Sequence, residues 1–545
     1  MKRNLFLPIL FLLCMVSCKK GLKTIIAETE DATFIIYTFD EYGSPSGSGS
    51  GFFIDKEGTG ITNYHVLDES VKAILKTKEG QIYEIDKVTA SDKQWDIVKF
   101  STKHDPSEKF AYLDFSRRKA ENGDRIYNIS APLGLEQTIS EGIVSSLRQD
   151  SHGEIIQITA PISPGSSGSA ILDDNGDVIA VATFGRTGGQ NLNFGVSIDD
   201  EKINALTDNT FSKENPLFNK KENFLILNLR AKRSNNIILN ALEFKDDATI
   251  GYFSFTNLDI FAGDHYIWCE LNKGDEGFMI LDKESGEKYH LTSSTLGVNK
   301  ANGTHVPVAS TYRFKVFFPA INHPEKLRFI DITYGHTSRG WQFTNIDLDI
   351  FRNELHYDTE NYQKDYGYAS MHEGDVATAQ EIFTNILKER PDDEQVLNAM
   401  GILSFSINNF SDAEYFFSKS IEEHPNSVTA YINRASLYQY QKNYDSALQD
   451  LNHVININPE QPDHYCYRAL VYMNQEQWEK AKNDLDKAIE TEDFKTDPVA
   501  YYYRAICNTW MKNFSDASRD VEIAYNLTND PDFENALQEL YQKLP

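Results

Sequence analysis

Three short stretches of this chain carry the residue types that one reaction requires: Thr62-Asn63-Tyr64-His65-Val66, Trp95-Asp96-Ile97-Val98 and Gly165-Ser166-Ser167-Gly168-Ser169-Ala170. A serine hydroxyl is a poor nucleophile at neutral pH, so it needs an imidazole within hydrogen-bond reach to take its proton. The imidazole needs a carboxylate on its other nitrogen, which holds the tautomer and stabilises the imidazolium that forms. His65, Asp96 and Ser167 supply these groups. The N–H groups of Gly165 and Ser167 are the candidates to meet an oxyanion, provided the loop turns tightly, as Pro164 and the flanking glycines allow. Singly, each stretch has a plainer reading: a flexible Gly/Ser linker, a histidine at a strand end, a solvated acid. Their joint occurrence points to nucleophilic chemistry at a carbonyl.

These stretches belong to a longer pattern. The opening Gly47-Ser48-Gly49-Ser50-Gly51-Phe52, the segment from Gly123 to Leu147 and the runs Ala182-Thr183 and Phe194-Gly195-Val196 complete it. Residues 32–198 resemble the trypsin-like proteases of the HtrA/Deg type. That resemblance implies two orthogonal six-stranded β-barrels with the site at their junction, and an endopeptidase that needs no metal or cofactor. It also implies substrate-binding positions. Ile162, five residues before the nucleophile, and Thr183 line the primary pocket, and Phe194, Gly195 and Val196 form the strand that pairs with extended substrate. No acid stands at the expected base of the pocket, so a small or medium aliphatic residue is expected before the scissile bond. Two departures stand out: Ser169 occupies a position where the family more often has Gly, and no counterpart of the PDZ module that commonly follows is recognisable.

The domain must sit somewhere, and the first residues bear on where. Lys2 and Arg3 precede an apolar run from Leu5 to Val16, too short to span a membrane and suited to a signal core. Met15-Val16-Ser17-Cys18 resembles a bacterial lipoprotein signal, which makes residues 1–17 the signal, Cys18 the lipidated residue and 18–31 a tether. The plainer alternative is a cleaved signal with an incidental cysteine. Lys19-Lys20-Gly21 places no acid behind the anchor, which by analogy with bacterial sorting signals favours the periplasm. With Cys14 removed and Cys18 acylated, Cys269, Cys466 and Cys507 form a scattered set that suggests no disulfide framework. No CxxC or HExxH spacing calls for a metal. The formal charge of −28 becomes −30 when Lys2 and Arg3 leave, which argues against nucleic acid as a partner.

A chain of 545 residues exceeds one core. Residues 201–223 shift to Asn, Lys, Glu and Pro and suggest a helix end and a linker. Residues 224–352 carry seven or eight β-branched and aromatic runs, such as Phe224–Leu229 and Tyr312–Phe318, which predict an antiparallel β-sandwich without chemistry of its own. From 360 to 545 the period becomes 34: Ala379, Ala413, Ala447 and Ala481 are 34 apart and Ala517 follows after 36. Gly367, Gly401, Ala435, Ala469 and Ala505 keep the same steps, with Pro391, Pro425 and Pro459 at repeat ends. This resembles the tetratricopeptide repeat, and five repeats are expected. Arg434, Arg468 and Arg504 recur with Asp450, Asp484 and Asp520 sixteen positions later. Ion pairs within the repeats are preferred to a ligand clamp. The tyrosines between 465 and 503 suit either a peptide groove or packing.

The fold class is therefore a trypsin-like double barrel, then a sandwich-like domain, then an all-α repeat solenoid. The functional expectation is a lipid-anchored envelope endopeptidase that acts on unfolded or delivered protein substrates and recruits protein partners through its repeats. The alternative is a binding or assembly lipoprotein whose protease domain is inactive or chaperone-like. Oligomeric state is not set by these residues.

Overall fold

The computed structural model describes residues 22–130, 138–150, 153–162, 165–183, 193–206, 210–215, 218, 223–232, 236–257, 265–267, 277–296, 304–306, 311–334, 341–353, 359–372, 374–491, 495, 498–527 and 531–544. Cys18 and the signal segment 1–17 lie outside them. The chain divides into two units. One is built from residues up to Thr38 together with Gly47–Asn219, the other from Phe39–Ser46 together with the residues from Lys220 onward.

The first unit contains β1 (Thr33–Phe39), β2 (Pro45–Phe53), β3 (Thr59–Thr62), β4 (Lys72–Thr77), β5 (Ile82–Asp92) and β6 (Ile97–Lys103), closed in the order β1-β2-β3-β6-β5-β4. A second barrel follows. It holds β7 (Arg125–Ser130), β8 (Thr138–Asp150), β9 (Gly153–Ile158), β10 (Ala170–Leu172), β11 (Val178–Thr183) and β12 (Asn193–Ser197) in the order β10-β11-β12-β9-β8-β7. Closure leaves no sheet edge to satisfy. Phe34, Phe53, Leu75, Ile85 and Phe100 fill the first barrel, and Ile126, Val144, Ile156 and Ala180 fill the second. A third cluster draws Phe52, Ile61 and Ile97 from one barrel and Tyr127, Leu172 and Val181 from the other.

Two sequence boundaries shift. The expected tether is in part a helix, Leu22–Ala32, whose Ile25 and Ala32 are buried in the cluster drawn from both barrels. The expected linker after residue 200 also packs. It forms helices Asp200–Ala205 and Thr210–Glu214, and Phe211 and Phe218 are buried in the first barrel's core. Polar composition hid both segments, because only a few apolar residues per turn are needed to dock a short helix.

Among the described residues of the second unit, β13 (Phe224–Arg230), β14 (Ile237–Phe244), β15 (Ala248–Thr256), β16 (His265–Ile267), β17 (Met279–Asp282), β18 (Lys288–His290), β19 (Ser293–Ser294), β20 (Thr304–Val306), β21 (Thr311–Pro319), β22 (Phe329–Tyr334) and β23 (Trp341–Asp347) form three sheets. A five-stranded sheet, β13-β14-β15-β21-β19, and a four-stranded sheet, β18-β17-β22-β23, share one apolar core that includes Phe253, Phe314, Ile280 and Phe343. This is the expected sandwich-like packing, with a small β16-β20 ribbon added.

Among the described residues, the helices from Thr359 onward come in five pairs: Thr359–His372 with Val376–Glu389, Glu394–Ser406 with Phe410–Glu423, Val428–Tyr440 with Tyr444–Ile457, Pro462–Asn474 with Trp478–Ile489, and Pro498–Trp510 with Phe514–Leu527. A further helix, Pro531–Gln542, follows the five expected repeats; its Leu537 is buried with Val521 and Ala524 of the last pair. The phased alanines 379, 413, 447, 481 and 517 are wholly buried, as close helix approach requires. The phased ion pairs are also present. Arg434, Arg468 and Arg504 each donate from Nε and Nη2 to Asp450, Asp484 and Asp520 at 2.6–3.0 Å. Their Nη1 atoms donate to Ser418, Asn452 and Asp486 of the preceding pair. Each guanidinium therefore joins two repeats, which settles it as packing rather than a clamp.

Candidate active site

His65 sits on a single helical turn, Tyr64–Leu67, directly after β3. Tyr64 and Leu67 are buried and anchor that turn, while His65 faces outward with its side chain 49 % exposed. The turn is braced from the helix Thr210–Glu214 and the residue after it. Tyr64 Oη donates to Glu214 at 2.7 Å, Phe211 packs edge-on against the Tyr64 ring, and Glu69 N–H donates to Asn215 at 2.9 Å. Burial, with Glu214 beside it, pushes the Tyr64 phenol up, so it stays a donor. Lys93 and the Tyr64 hydroxyl hold the Glu214 carboxyl below its ordinary range.

Asp96 ends the turn between β5 and β6 in the left-handed region, at φ 57°. Such a conformation costs a non-glycine residue about 1–2 kcal/mol, so the surroundings must hold it. Its carbonyl accepts from Tyr64 N–H at 3.1 Å and from Asn63 Nδ2 at 2.9 Å. Its carboxylate meets His65 twice, Oδ2 with Nδ1 at 2.8 Å and Oδ1 with the backbone N–H at 3.0 Å. Thr183 Oγ1 adds a third bond, to Oδ2 at 3.0 Å.

Ser167 is 6 % exposed and stands in the turn between Ser166 and Ser169, closed by Ser169 N–H to Ser166 O at 3.1 Å. Gly165 and Gly168 both have φ 87°. At Gly168 a Cβ would lie 2.2 Å from Ser50 O and 2.3 Å from Thr62 Oγ1, so only glycine fits. Among the described residues, the N–H groups of Gly165 and Ser167 have no protein acceptor, and no hydrogen bond joins Ser167 Oγ to His65. Such contacts tighten in many hydrolases only when substrate is seated.

The remaining expected positions fare differently. Thr183, expected in the pocket wall, instead bonds to the Asp96 carboxylate. Phe194, Gly195 and Val196 do not offer a free edge: β12 pairs with β11 on one side and β9 on the other across these residues, so extended substrate has no ladder to join there. Ile162 is half-buried against the second barrel's core. Ser169 is fully buried, and its hydroxyl accepts from Asn128 Nδ2 at 2.7 Å, which explains how the departure from Gly is absorbed. The bond of Thr183 to Asp96 and that of Asn128 to Ser169 carry no signal in the sequence, because they depend on which strands become neighbours.

Residues 49–181 match the family described as a trypsin-like peptidase domain, and residues 428–461 match the tetratricopeptide repeat. The first of these segments is a trypsin-like peptidase domain. Its relatives include "Serine endoprotease DegS" of Haemophilus influenzae, 29 % identical over 28 % of this chain and 47 % of the relative. "Protease Do-like 1, chloroplastic" of Arabidopsis thaliana is 29 % identical over 34 % of this chain and 43 % of its own. "Probable periplasmic serine endoprotease DegP-like" of Bartonella henselae is 34 % identical over 27 % and 30 % respectively. The chain thus spans less than half the length of each of these relatives. The peptidase domain accounts for the similarity, and the repeat match lies apart from it.

Proposed function

We propose that this protein is a serine endopeptidase of the bacterial cell envelope, with protein partners recruited by its repeats. Ser167 Oγ attacks the scissile carbonyl as His65 takes its proton; the N–H groups of Gly165 and Ser167 meet the oxyanion. His65 then gives the proton to the leaving amine, and a water activated by the same imidazole hydrolyses the acyl-enzyme. Asp96 fixes the imidazole, and Thr183 positions the Asp96 carboxylate. The observation that carries this reading is the 2.8 Å contact of His65 Nδ1 with Asp96 Oδ2, made by residues from two loops of one barrel. The periplasmic relative supports an envelope location, with Cys18 as the lipid anchor. Substrates are unfolded or partner-delivered proteins with a small or medium aliphatic residue before the cleaved bond, met by Ile162.

Labelling of the purified full chain with a fluorophosphonate probe, beside Ser167→Ala, tests the reading. Labelling that depends on Ser167 is expected. Absence of it, even with candidate peptides added, would leave a binding or assembly protein as the better account.

A further inference from the structure

Helix Thr210–Glu214 and Asn215 come after the last strand of the second barrel, yet they pack on the first. Phe211 is wholly buried there with Tyr64, Leu67 and Phe100, and its N–H donates at 3.1 Å to Ser91 Oγ, one residue from the end of β5. These residues touch both loops that make the His65–Asp96 contact. His65 stands just after β3, and Asp96 lies between β5 and β6. Glu214 Oε2 accepts from Tyr64 Oη, one residue before His65, at 2.7 Å and from Lys93 Nζ, three residues before Asp96, at 2.8 Å.

The bonds to Glu214 are the weaker hold, because the Lys93 and Glu214 side chains are half exposed and such pairs contribute little. Asn215 is buried and makes the firmer ones. Its Oδ1 accepts from Glu69 N–H at 2.9 Å, and its Nδ2 donates to Asp68 Oδ1 at 3.1 Å. Glu69 has φ 61°, a left-handed conformation that a side-chain-bearing residue keeps only where its surroundings impose it. The helix ahead of it, Tyr64–Leu67, is one turn long, and no side-chain bond caps its start. A single turn does not persist in water by its own hydrogen bonds, so outside contacts must hold it. At its entry those contacts are the Asp96 loop, bonded to the N–H groups of Tyr64 and His65, and the Phe211 ring, 5.2 Å from that of Tyr64. At its exit the buried partner is Asn215.

Hydrogen bonds weaken steeply with misalignment, and a displacement of about 1 Å in a catalytic arrangement can cost about 10²-fold in rate. We propose that Asn215 is a positioning residue for His65: with Phe211 it holds the stretch from Tyr64 to Glu69 so that Nδ1 stays on the Asp96 carboxylate. This rests on Ser167 and His65 acting as nucleophile and base. It extends the machinery of the peptidase past its last barrel strand to residue 215.

The test uses the full chain with Asn215→Ala, and with Asn215→Asp and Asp68→Asn combined, each checked for an unchanged melting profile. The combination exchanges donor and acceptor between the two side chains and keeps an acceptor for the Glu69 N–H. Two readouts are taken. One is the maximal rate of fluorophosphonate labelling, with the probe concentration that gives half of it; the other is hydrogen exchange of residues 62–70 in a Ser167→Ala background. Asn215→Ala should lower the maximal rate about 10–100-fold, leave the half-saturating concentration unchanged and speed the exchange. The combination should restore most of the rate and of the protection. The proposal is overturned if exchange at 62–70 stays at its parental value, if it speeds while the maximal rate does not fall, or if the combination recovers neither. A parental chain that does not label at all removes the nucleophile reading, and the exchange comparison still decides whether Asn215 holds the turn. Should Asn215→Ala unfold, Phe211→Leu, which thins the packing on Tyr64, is read in the same way.

Discussion

His65–Asp96 in the peptidase domain and Arg434–Asp450 in the solenoid are both 2.8 Å contacts between a basic side chain and a carboxylate. Their surroundings set them apart. The His65 and Asp96 side chains are 49 % and 24 % exposed, whereas Arg434 and Asp450 are 18 % and 5 % exposed. Arg434 has committed Nε, Nη1 and Nη2, and the rings of Tyr431 and Tyr438 flank it. His65 has committed only Nδ1 and its backbone N–H; among the described residues its other ring nitrogen makes no hydrogen bond. The His65–Asp96 pair keeps one ring nitrogen uncommitted and reachable, while the Arg434–Asp450 pair is closed by bonds to two helix pairs.

The sharpest way to break that contrast is Asp96→Asn. With the carboxylate gone, the imidazole loses its tautomer control, and kcat should fall about 10⁴-fold in a peptide assay while the melting profile stays put. In the solenoid, the matching change acts on stability. Asp450→Ala strands a half-buried guanidinium and should cost about 3–5 kcal/mol, read from the urea dependence of the helical signal. The earlier repeat carries Met400 and Phe416 at these phases, so Arg434→Met with Asp450→Phe should recover most of that loss. If the single and double variants are equally unstable, the pair is more than packing.

A smaller effect comes from pH. Burial lowers the pKa of His464 below its ordinary value, because the protonated ring is poorly solvated there. The unfolded chain therefore takes the proton first as pH falls. This stability is full above about 6.5 and is lost as pH drops from there through the lowered folded value. Helix melting followed between about pH 7.5 and 5 should show that decline, and His464→Gln should flatten it. The least effect is expected at the loops inside each pair, where Gly374, Asn408, Lys442, Glu476 and Lys512 all adopt φ between 59° and 72°. Glu476→Gly should gain about 0.5–1 kcal/mol in the same urea titration, since only glycine takes that conformation without strain.

Much of this was legible beforehand because it is local or periodic. Ser167 and its glycines are consecutive, so the nucleophile turn could be recognised from a few residues. The phased alanines and prolines give the helix pairs by arithmetic alone. Illegible were contacts whose partners are far apart in sequence. Thr183 became a partner of Asp96 across 87 positions and Ser50 a partner of Gly165 across 115. Lys442 and Glu476 carry no local cue to a left-handed backbone, because the helix ends impose it.

By itself, then, the sequence determined the candidate triad, the double-barrel and solenoid classes and the phase of the Arg–Asp pairs, all of which follow from side-chain chemistry repeated at short or regular spacing. Only the tertiary structure decided that β12 has no free edge and that the helices Leu22–Ala32, Asp200–Ala205 and Thr210–Glu214 pack rather than tether. Those outcomes depend on which strands and helices become neighbours, and that is settled by burial summed over the whole core rather than by any one stretch of chain.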